Sequence, residues 1–290
     1  MKRRRFLTLA AAFAGAPLTG QAASWTGRAL GADAAITLYG PAERTERLMA
    51  ALPGMLSGIE GQFSLYDPDS TLARLNRAGQ WPCGPFFRTL LEACDKAWRL
   101  TDGLFDPTVQ PLWQALARGK DPAPARRLIG WEQVQVPAVG PVTLGPGQQM
   151  TLNGIAQGFA TETIAAALQK RGFEKALIHI GEHQALGGPF DLRMEDPEFG
   201  MFSTLELSNR AVATSSPGAL RLGGTGHILS PNGGAPLWST VSIEADGATM
   251  ADALSTAAVF MDLPRLRRLK QEARLHRITA VDDQGNLRSL

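Results

Sequence analysis

The stretch Met250-Ala251-Asp252-Ala253-Leu254-Ser255-Thr256-Ala257 predicts the start of a helix that packs into a folded core. The apolar positions of this helix recur at helical spacing on one face: Leu254, Ala258 and Met261. Asp252 and Thr256 are four residues apart, so a carboxylate and a hydroxyl share one helical face. Both are hard oxygen donors of the kind that Mg²⁺ takes when a phosphate completes its shell. The simpler alternative is a solvated Asp near the helix start and a Thr bonded to its own backbone.

Outward from this helix, helices and strands interleave without a strict strand–helix–strand period. The predicted helices cover 43–59, with Pro53 as a kink or break, then 71–76 after a Ser70 cap, 87–101, 110–118 and 155–170. The predicted strands cover 28–39, 176–180, 201–207, 210–214, 239–244 and 277–282, and 120–150 is loop with short strands. This order predicts an α+β fold of mixed sheets with packed helices, as a single globular unit of one or two lobes.

Composition places the chain among globular proteins. Its 290 residues are 44% hydrophobic and 19% charged, which is enough apolar material for a full core. Cys83 and Cys94 lack a zinc-type spacing. A disulfide between them is compatible with an oxidising compartment, whereas Cys94 on an apolar helical stripe is equally compatible with a buried free thiol.

The N-terminus predicts export. Lys2-Arg3-Arg4-Arg5 precedes an apolar run over 6–18 and a small-residue cleavage site, so residues 1–22 are expected to form a signal peptide of twin-arginine type. The apolar run is shorter than the roughly 20 residues of a membrane span, which argues against the alternative of an uncleaved anchor. The mature domain, 23–290, is therefore expected in the periplasm without a stable membrane anchor.

Removal of the signal peptide also changes the sign of the net charge. Its four cations carry no matching acid, so the net charge of +2 becomes about −2 in the mature chain. The basic run over 265–270 fits the solvated face of an amphipathic helix. No nucleic-acid partner is expected.

The segment Thr151-Leu152-Asn153-Gly154-Ile155-Ala156-Gln157-Gly158 predicts a strand that turns into a helix. Free backbone N–H groups and the positive end of the helix are expected together there, and Gly154 allows a phosphate or metal to approach the main chain. The segment matches neither the Walker loop nor the dinucleotide fingerprint.

Two further segments contain candidate binding residues. Leu104-Phe105-Asp106 combines apolar side chains with a carboxylate, which suits a flat heterocycle, although Asp106 before Pro107 is also a plain helix cap. His227 lies in a glycine-rich stretch where its ring could reach a substrate, and a purely structural histidine is the alternative.

These segments, in this order, resemble the ApbE family of FAD:protein FMN transferases. The matching phrases span the mature chain: Ser64-Leu65-Tyr66 with Ser70 and Asn76, Asp106-Pro107-Thr108-Val109-Gln110-Pro111-Leu112, Ile155-Ala156-Gln157-Gly158, Val212-Ala213-Thr214-Ser215, His227-Ile228 with Pro231 and Gly234, and Ala251 to Ala257. Each phrase alone is weak, but six in order are hard to produce by chance.

The resemblance implies Mg²⁺-dependent transfer of FMN from FAD to a Thr or Ser of an acceptor protein with a Ser/Thr-Gly-Ala-Thr-like motif, with release of AMP. It implies three Mg²⁺ ligands: Asp252, Thr256 and the backbone oxygen of Gly154. His227 becomes the candidate for assisting deprotonation of the acceptor hydroxyl, with a positional role equally open. The positions at which the family contacts FAD are Leu30, Tyr66, Leu104, Phe105, Asp106, Thr151, Gln157 and Ile228.

The chain departs from the family pattern at several positions. Thr151 replaces an acid, Gln157 replaces Lys or Glu, and Gly181-Glu182-His183 replaces Gly-Gly-Asp. Leu30-Gly31-Ala32 replaces Met-Gly-Thr, and Ser230 replaces Asp. Two alternative functions therefore stay open: Mg²⁺-dependent hydrolysis of FAD to FMN and AMP, and non-catalytic binding or delivery of flavin.

Overall fold

The computed structural model describes residues 22–222 and 224–290. The predicted signal peptide lies, apart from Ala22, outside these residues and stays a prediction. The helices are α1 (Ala42–Phe63), α2 (Thr71–Ala78), α3 (Pro85–Leu100), α4 (Gln110–Ala117), α5 (Pro122–Arg126), α6 (Ala156–Lys170), α7 (Ala248–Ala258) and α8 (Leu263–Glu272). The strands are β1 (Ala22–Ala29), β2 (Ala32–Tyr39), β3 (Gln80–Trp81), β4 (Val142–Thr143), β5 (Lys175–Ile180), β6 (Glu182–Leu186), β7 (Phe190–Asp196), β8 (Gly200–Leu207), β9 (Ala211–Ser215), β10 (Arg221–Leu222), β11 (Thr225–Gly226), β12 (Thr240–Ala245), β13 (Arg277–Val281) and β14 (Leu287–Ser289).

One eight-stranded antiparallel sheet organises the fold, in the order β1-β2-β5-β6-β9-β12-β13-β14. Because side chains alternate along a strand, Ile178 and Ile180 of β5 enter the main core with the helices, and Leu177 points to the opposite face. There Leu177 packs against the β7–β8 hairpin, with Phe190 and Leu205. The main core also takes in the side chains of α2 and α3, so the predicted α+β single unit is confirmed.

The predicted strand over 28–39 is wrong in one respect, because the chain folds back within it. β1 and β2 form a hairpin whose register ends at Ala29↔Ala32. The two turn residues, Leu30 and Gly31, have φ values of 50° and 76°. Positive φ at both positions matches the twist of a two-residue hairpin, and glycine adopts it without strain. Buried and more exposed side chains alternate in both β1 and β2, so the sequence pattern predicted one strand where the structure has two.

Helix α1 runs through Pro53 without interruption, so the predicted break is wrong. Proline removes one backbone donor, but a buried stripe on both sides of it holds the helix against the core. The stripe consists of Leu48, Leu52, Leu56, Ile59 and Phe63.

Cys83 and Cys94 are free thiols, which decides between the two alternatives left by the sequence. Both are buried, and burial raises the pKa of Cys83 to about 11 and that of Cys94 further still. Neither is a reactive thiolate at neutral pH. Within the described part of the chain, no helix has the length and apolar character that a membrane crossing requires.

Candidate active site

The candidate site lies where α6 crosses α7. A Cβ atom added at Gly158 would lie 2.2 Å from the carbonyl oxygen of Ala248 and 2.6 Å from Cβ of Asp252. Only glycine permits this approach, and it brings the N–H of Gly158 to 2.9 Å from Oδ2 of Asp252. The carboxylate of Asp252, 4% exposed, is therefore held by the first turn of α6.

The other two predicted cation ligands meet beside it. A Cβ atom added at Gly154 would lie 2.9 Å from Oγ1 of Thr256, so the main chain of Gly154 packs against this hydroxyl. The Ser215 hydroxyl lies 2.8 Å from Oγ of Ser255 and 3.4 Å from Oγ1 of Thr256, which ties the end of β9 to α7. Three elements thus converge on one set of oxygen atoms.

This donor set fits Mg²⁺. One carboxylate, one hydroxyl and one main-chain carbonyl are hard oxygen ligands. Three protein ligands would leave the other coordination positions of Mg²⁺ for water and phosphate oxygens. Over 22–222 and 224–290 the structure contains no group of three His, Cys, Asp or Glu side chains arranged for a metal ion.

The start of α6 differs from the prediction of free N–H groups. The N–H groups of Ile155 and Ala156 both donate to the carbonyl of Leu152, at 3.1 and 2.8 Å. The N–H of Gly158 is taken by Asp252. The turn therefore contributes the positive end of the helix, and the N–H groups of Ile155, Ala156 and Gly158 are used within the protein.

Glu182 is a second buried carboxylate at this site, and sequence analysis missed it. It is 8% exposed, and its Oε2 accepts the N–H of Thr214 at 3.0 Å. Desolvation first, and then the charge of Asp252, raise the pKa of Glu182 well above its usual range. Burial raises the pKa of Asp252 to about 7 against the lowering effect of the Gly158 hydrogen bond. The only sequence signal was an acid in place of the second glycine of Gly-Gly-Asp.

Two of the predicted FAD-contacting residues, Leu30 and Gln157, are brought together. The Gln157 side chain donates from Nε2 to the carbonyl of Leu30 at 3.3 Å. A Cβ atom at Gly181, where φ is +82°, would lie 2.4 Å from Oε1 of the same side chain. The β1–β2 turn, the β5–β6 turn and the first turn of α6 therefore meet at one end of the sheet.

Asp106 holds its loop together. Its carboxylate accepts the N–H and the hydroxyl of Thr108 at 2.8 and 2.6 Å, and the N–H of Trp131 at 3.1 Å. Burial raises the pKa of Asp106, and these hydrogen bonds oppose the shift. The N–H of Thr151 donates to the carbonyl of Pro107 at 2.8 Å, which places the Asp106 loop beside the start of α6.

The remaining apolar FAD candidates occupy different environments. Leu104 and Phe105 are buried in the main core, and Ile228 packs partly buried against it. Tyr66 is 78% exposed, on a turn in which the Ser64 hydroxyl accepts the N–H groups of Tyr66 and Asp67. Tyr66 is thus a side chain at the surface, supported by its own loop.

His227 belongs to a different loop, after β11. Its Nδ1 lies 3.2 Å from the carbonyl of Pro217 and 3.3 Å from that of Leu220. Both carbonyls can only accept, so the neutral ring carries its hydrogen on Nδ1 and its basic lone pair on Nε2. Pro217 follows two residues after Ser215, which contacts α7. The loop is fastened from the far side by Arg126, whose Nη1 donates to the carbonyls of Ser230 and Pro231 at 3.1 and 3.2 Å.

A family model matches residues 30–281, which is nearly the whole described chain, and it is that of the ApbE family. The chain belongs to the ApbE family. Curated relatives include the FAD:protein FMN transferase of Vibrio cholerae, 26% identical over 75% of this chain and 74% of the relative. The FAD:protein FMN transferase of Salmonella typhimurium is 24% identical over 76% of this chain and 73% of the relative.

Solved ApbE structures share the fold. The flavin transferase ApbE from Vibrio cholerae superposes with a TM-score of 0.81 at 20% identity, covering 93% of this chain and 97% of that one. The ApbE protein from Thermotoga maritima gives a TM-score of 0.81 at 24% identity, covering 92% and 96%. The predicted family and the predicted ApbE fold are confirmed. The roles of the individual site residues stay predictions.

Proposed function

We propose that this chain is an FAD:protein FMN transferase, which moves FMN from FAD to a Thr or Ser hydroxyl of a target protein and releases AMP with the help of Mg²⁺. Membership of the ApbE family and the names of the curated relatives support the transferase assignment. The observation that carries the chemistry is the meeting of Asp252, Thr256 and the Gly154 main chain at the start of α6.

The proposed reaction is a phosphoryl transfer. The acceptor oxygen bonds to the phosphorus of the FMN half, the bond from that phosphorus to the bridging oxygen breaks, and AMP leaves with the bridging oxygen. A Mg²⁺ ion held there would supply positive charge to offset the negative charge that develops on the pyrophosphate. Asp252, Thr256 and Gly154 would hold the ion, and the positive end of α6 adds to the field at the same place.

His227 is proposed to accept the proton of the acceptor hydroxyl. The carbonyls of Pro217 and Leu220 keep the ring hydrogen on Nδ1, so Nε2 is the basic atom. The Arg126 clamp would hold this loop while the acceptor segment binds. An acceptor with a Ser/Thr-Gly-Ala-Thr-like motif is the proposed partner.

FAD is proposed to bind along the surface formed by three loops beside α6. Thr151 and Gln157 lie three residues before and three residues after Gly154, and they contact the carbonyls of Pro107 and Leu30, respectively. The exposed Tyr66 ring would then cover the flavin. The full proposed set is Leu30, Tyr66, Leu104, Phe105, Asp106, Thr151, Gln157 and Ile228.

The chain is further proposed to act in the periplasm after twin-arginine export, as Lys2-Arg3-Arg4-Arg5 and the following apolar run indicate. Replacement of Arg3 and Arg4 by Lys is expected to keep the protein in the cytoplasm, which cell fractionation measures. Unchanged periplasmic recovery would contradict this route.

Mass spectrometry of an acceptor domain incubated with the enzyme, FAD and Mg²⁺ tests the transferase proposal. The expected result is a mass gain of one FMN, lowered at least a hundredfold in rate by Asp252→Asn, which corresponds to about 2.7 kcal/mol of transition-state stabilisation. Asp262→Asn is the matched control. Asp262 also accepts a backbone N–H, from Arg265 at 2.9 Å, but on the exposed start of α8.

Three results would point elsewhere. AMP formed without modification of any acceptor would indicate FAD hydrolysis. FAD that binds and stays intact, while a known family member works in the same assay, would indicate a flavin carrier. Equal loss in Asp252→Asn and Asp262→Asn would remove Asp252 from the chemistry.

A further inference from the structure

Glu182 stands at a gap in the central sheet. It is the first residue of β6, directly after the Gly181 turn, and the β6–β9 ladder begins one residue later at His183↔Val212. Thr214 lies beyond the paired residues of this ladder, and its N–H donates a hydrogen bond to Oε2 of Glu182 instead. This contact uses one of its two oxygen atoms. The other, Oε1, has no hydrogen bond to any part of the chain that the structure describes.

The same two elements hold Glu182 and the proposed cation ligands. On α6, the N–H of Gly158 binds the Asp252 carboxylate, and one turn later the Thr161 hydroxyl donates to the carbonyl of Glu182 at 3.3 Å. On β9, Thr214 binds Glu182, and the next residue contacts the hydroxyl groups of α7. Glu182 is therefore fixed beside the ligands from two independent directions.

The carboxylates of Glu182 and Asp252 have no cationic side chain as a partner within residues 22–222 and 224–290. The other buried glutamate of the sheet, Glu244, is paired with Arg277. Two buried like charges are costly unless a cation lies between them, and a divalent ion supplies the missing charge.

We propose that the Glu182 carboxylate joins Asp252 in the cation site, so that this chain binds its divalent ion with two buried carboxylates. The inference rests on the proposed function for the existence of that ion. A second carboxylate favours tighter binding of the ion in the absence of FAD, because more ligands come from the protein.

The test is binding of Mn²⁺ and Mg²⁺ to the full chain without FAD, by electron paramagnetic resonance and calorimetry. Glu182→Gln keeps an acceptor for the Thr214 N–H and removes only the charge. Its affinity for the ion is expected to fall by about tenfold or more. Its melting temperature without metal is expected to rise by about 2–4 °C, since the cost of burying an ionisable carboxyl group beside Asp252 is removed.

Glu162→Gln is the matched control, because Glu162 also accepts one backbone N–H, that of Thr249, at 2.9 Å. It is expected to bind the ion like the wild type and to show no rise in melting temperature. Equal affinity in Glu182→Gln and wild type, with binding abolished by Asp252→Asn, would overturn this inference and leave the proposed function standing. Absence of binding to the wild type with and without FAD would overturn both.

Discussion

Gly158→Ala tests whether the α6–α7 crossing builds the site. The added Cβ would lie 2.2 Å from the Ala248 carbonyl, and opening this contact to 3.0 Å needs a shift of about 0.8 Å between two packed helices. Overpacking of this kind costs about 1–3 kcal/mol, and a weakened hydrogen bond to the buried Asp252 carboxylate costs about 1.5–3 kcal/mol more. The gain in helix propensity returns only about 1 kcal/mol.

The free energy of unfolding is therefore expected to fall by about 1.5–5 kcal/mol, which lowers the melting temperature by about 10 °C. Calorimetry measures the transition, and Mn²⁺ binding reports on the site at a temperature where the variant is folded. Gly61→Ala is the matched control, because Gly61 is also inside a helix and a Cβ there meets nothing within 4 Å. It is expected to gain about 0.4–1 kcal/mol. A Gly158→Ala protein as stable as Gly61→Ala, with unchanged Mn²⁺ affinity, would refute the reasoning.

Two further predictions concern the His227 loop and the sheet. Arg126→Ala is expected to lower kcat for transfer by about tenfold, because two charged hydrogen bonds to the loop carbonyls are lost. Arg126→Lys is expected to recover part of the rate, and replacement of the exposed Arg127 by Ala is expected to have no effect. A time course of acceptor modification measures all three variants. An unchanged kcat would show that the clamp is not needed. Burial lowers the pKa of His179 and His183, whose rings stack 4.1 Å apart, so the folded state binds fewer protons than the unfolded one. Their contribution to stability is complete above the unfolded pKa of 6.5 and is lost as the pH falls below it. Urea unfolding between pH 7 and pH 5 is expected to show a decrease that His183→Gln reduces by about 1–2 kcal/mol, and an equal decrease in both proteins would contradict this assignment.

The order of motifs was sufficient to predict the family, and the interleaving of predicted helices and strands was sufficient to predict the α+β class. Hydrophobic periodicity also predicted most helices, because an amphipathic stripe of the kind seen in α3 depends on local spacing alone. Ser70 was predicted as a cap, and its hydroxyl accepts the Ala73 N–H at 3.0 Å. Such signals are local, so they can be read without knowledge of the fold.

The errors came from local turn geometry and from packing between distant segments. Pro53 reads as a break, but packing of the flanking apolar side chains keeps α1 intact. The turn at Leu30 was hidden, because a leucine at positive φ has no sequence signal. The N–H groups at the start of α6 were predicted to be free, and they are bonded to Leu152 and to Asp252, 94 residues away from Gly158.

The sequence by itself determined the chemical groups of this protein: a carboxylate and a hydroxyl four residues apart, a glycine before a helix, and the order of phrases that defines the family. Their spacing along one helix or one loop is a local property. Only the tertiary structure decided that Gly154 packs against Thr256, that Gly158 admits Asp252, and that Glu182 is buried close enough to Asp252 for their charges to interact. These contacts join α6, α7 and β6 across the core, and the cost of burying like charges exists only where the fold brings them together.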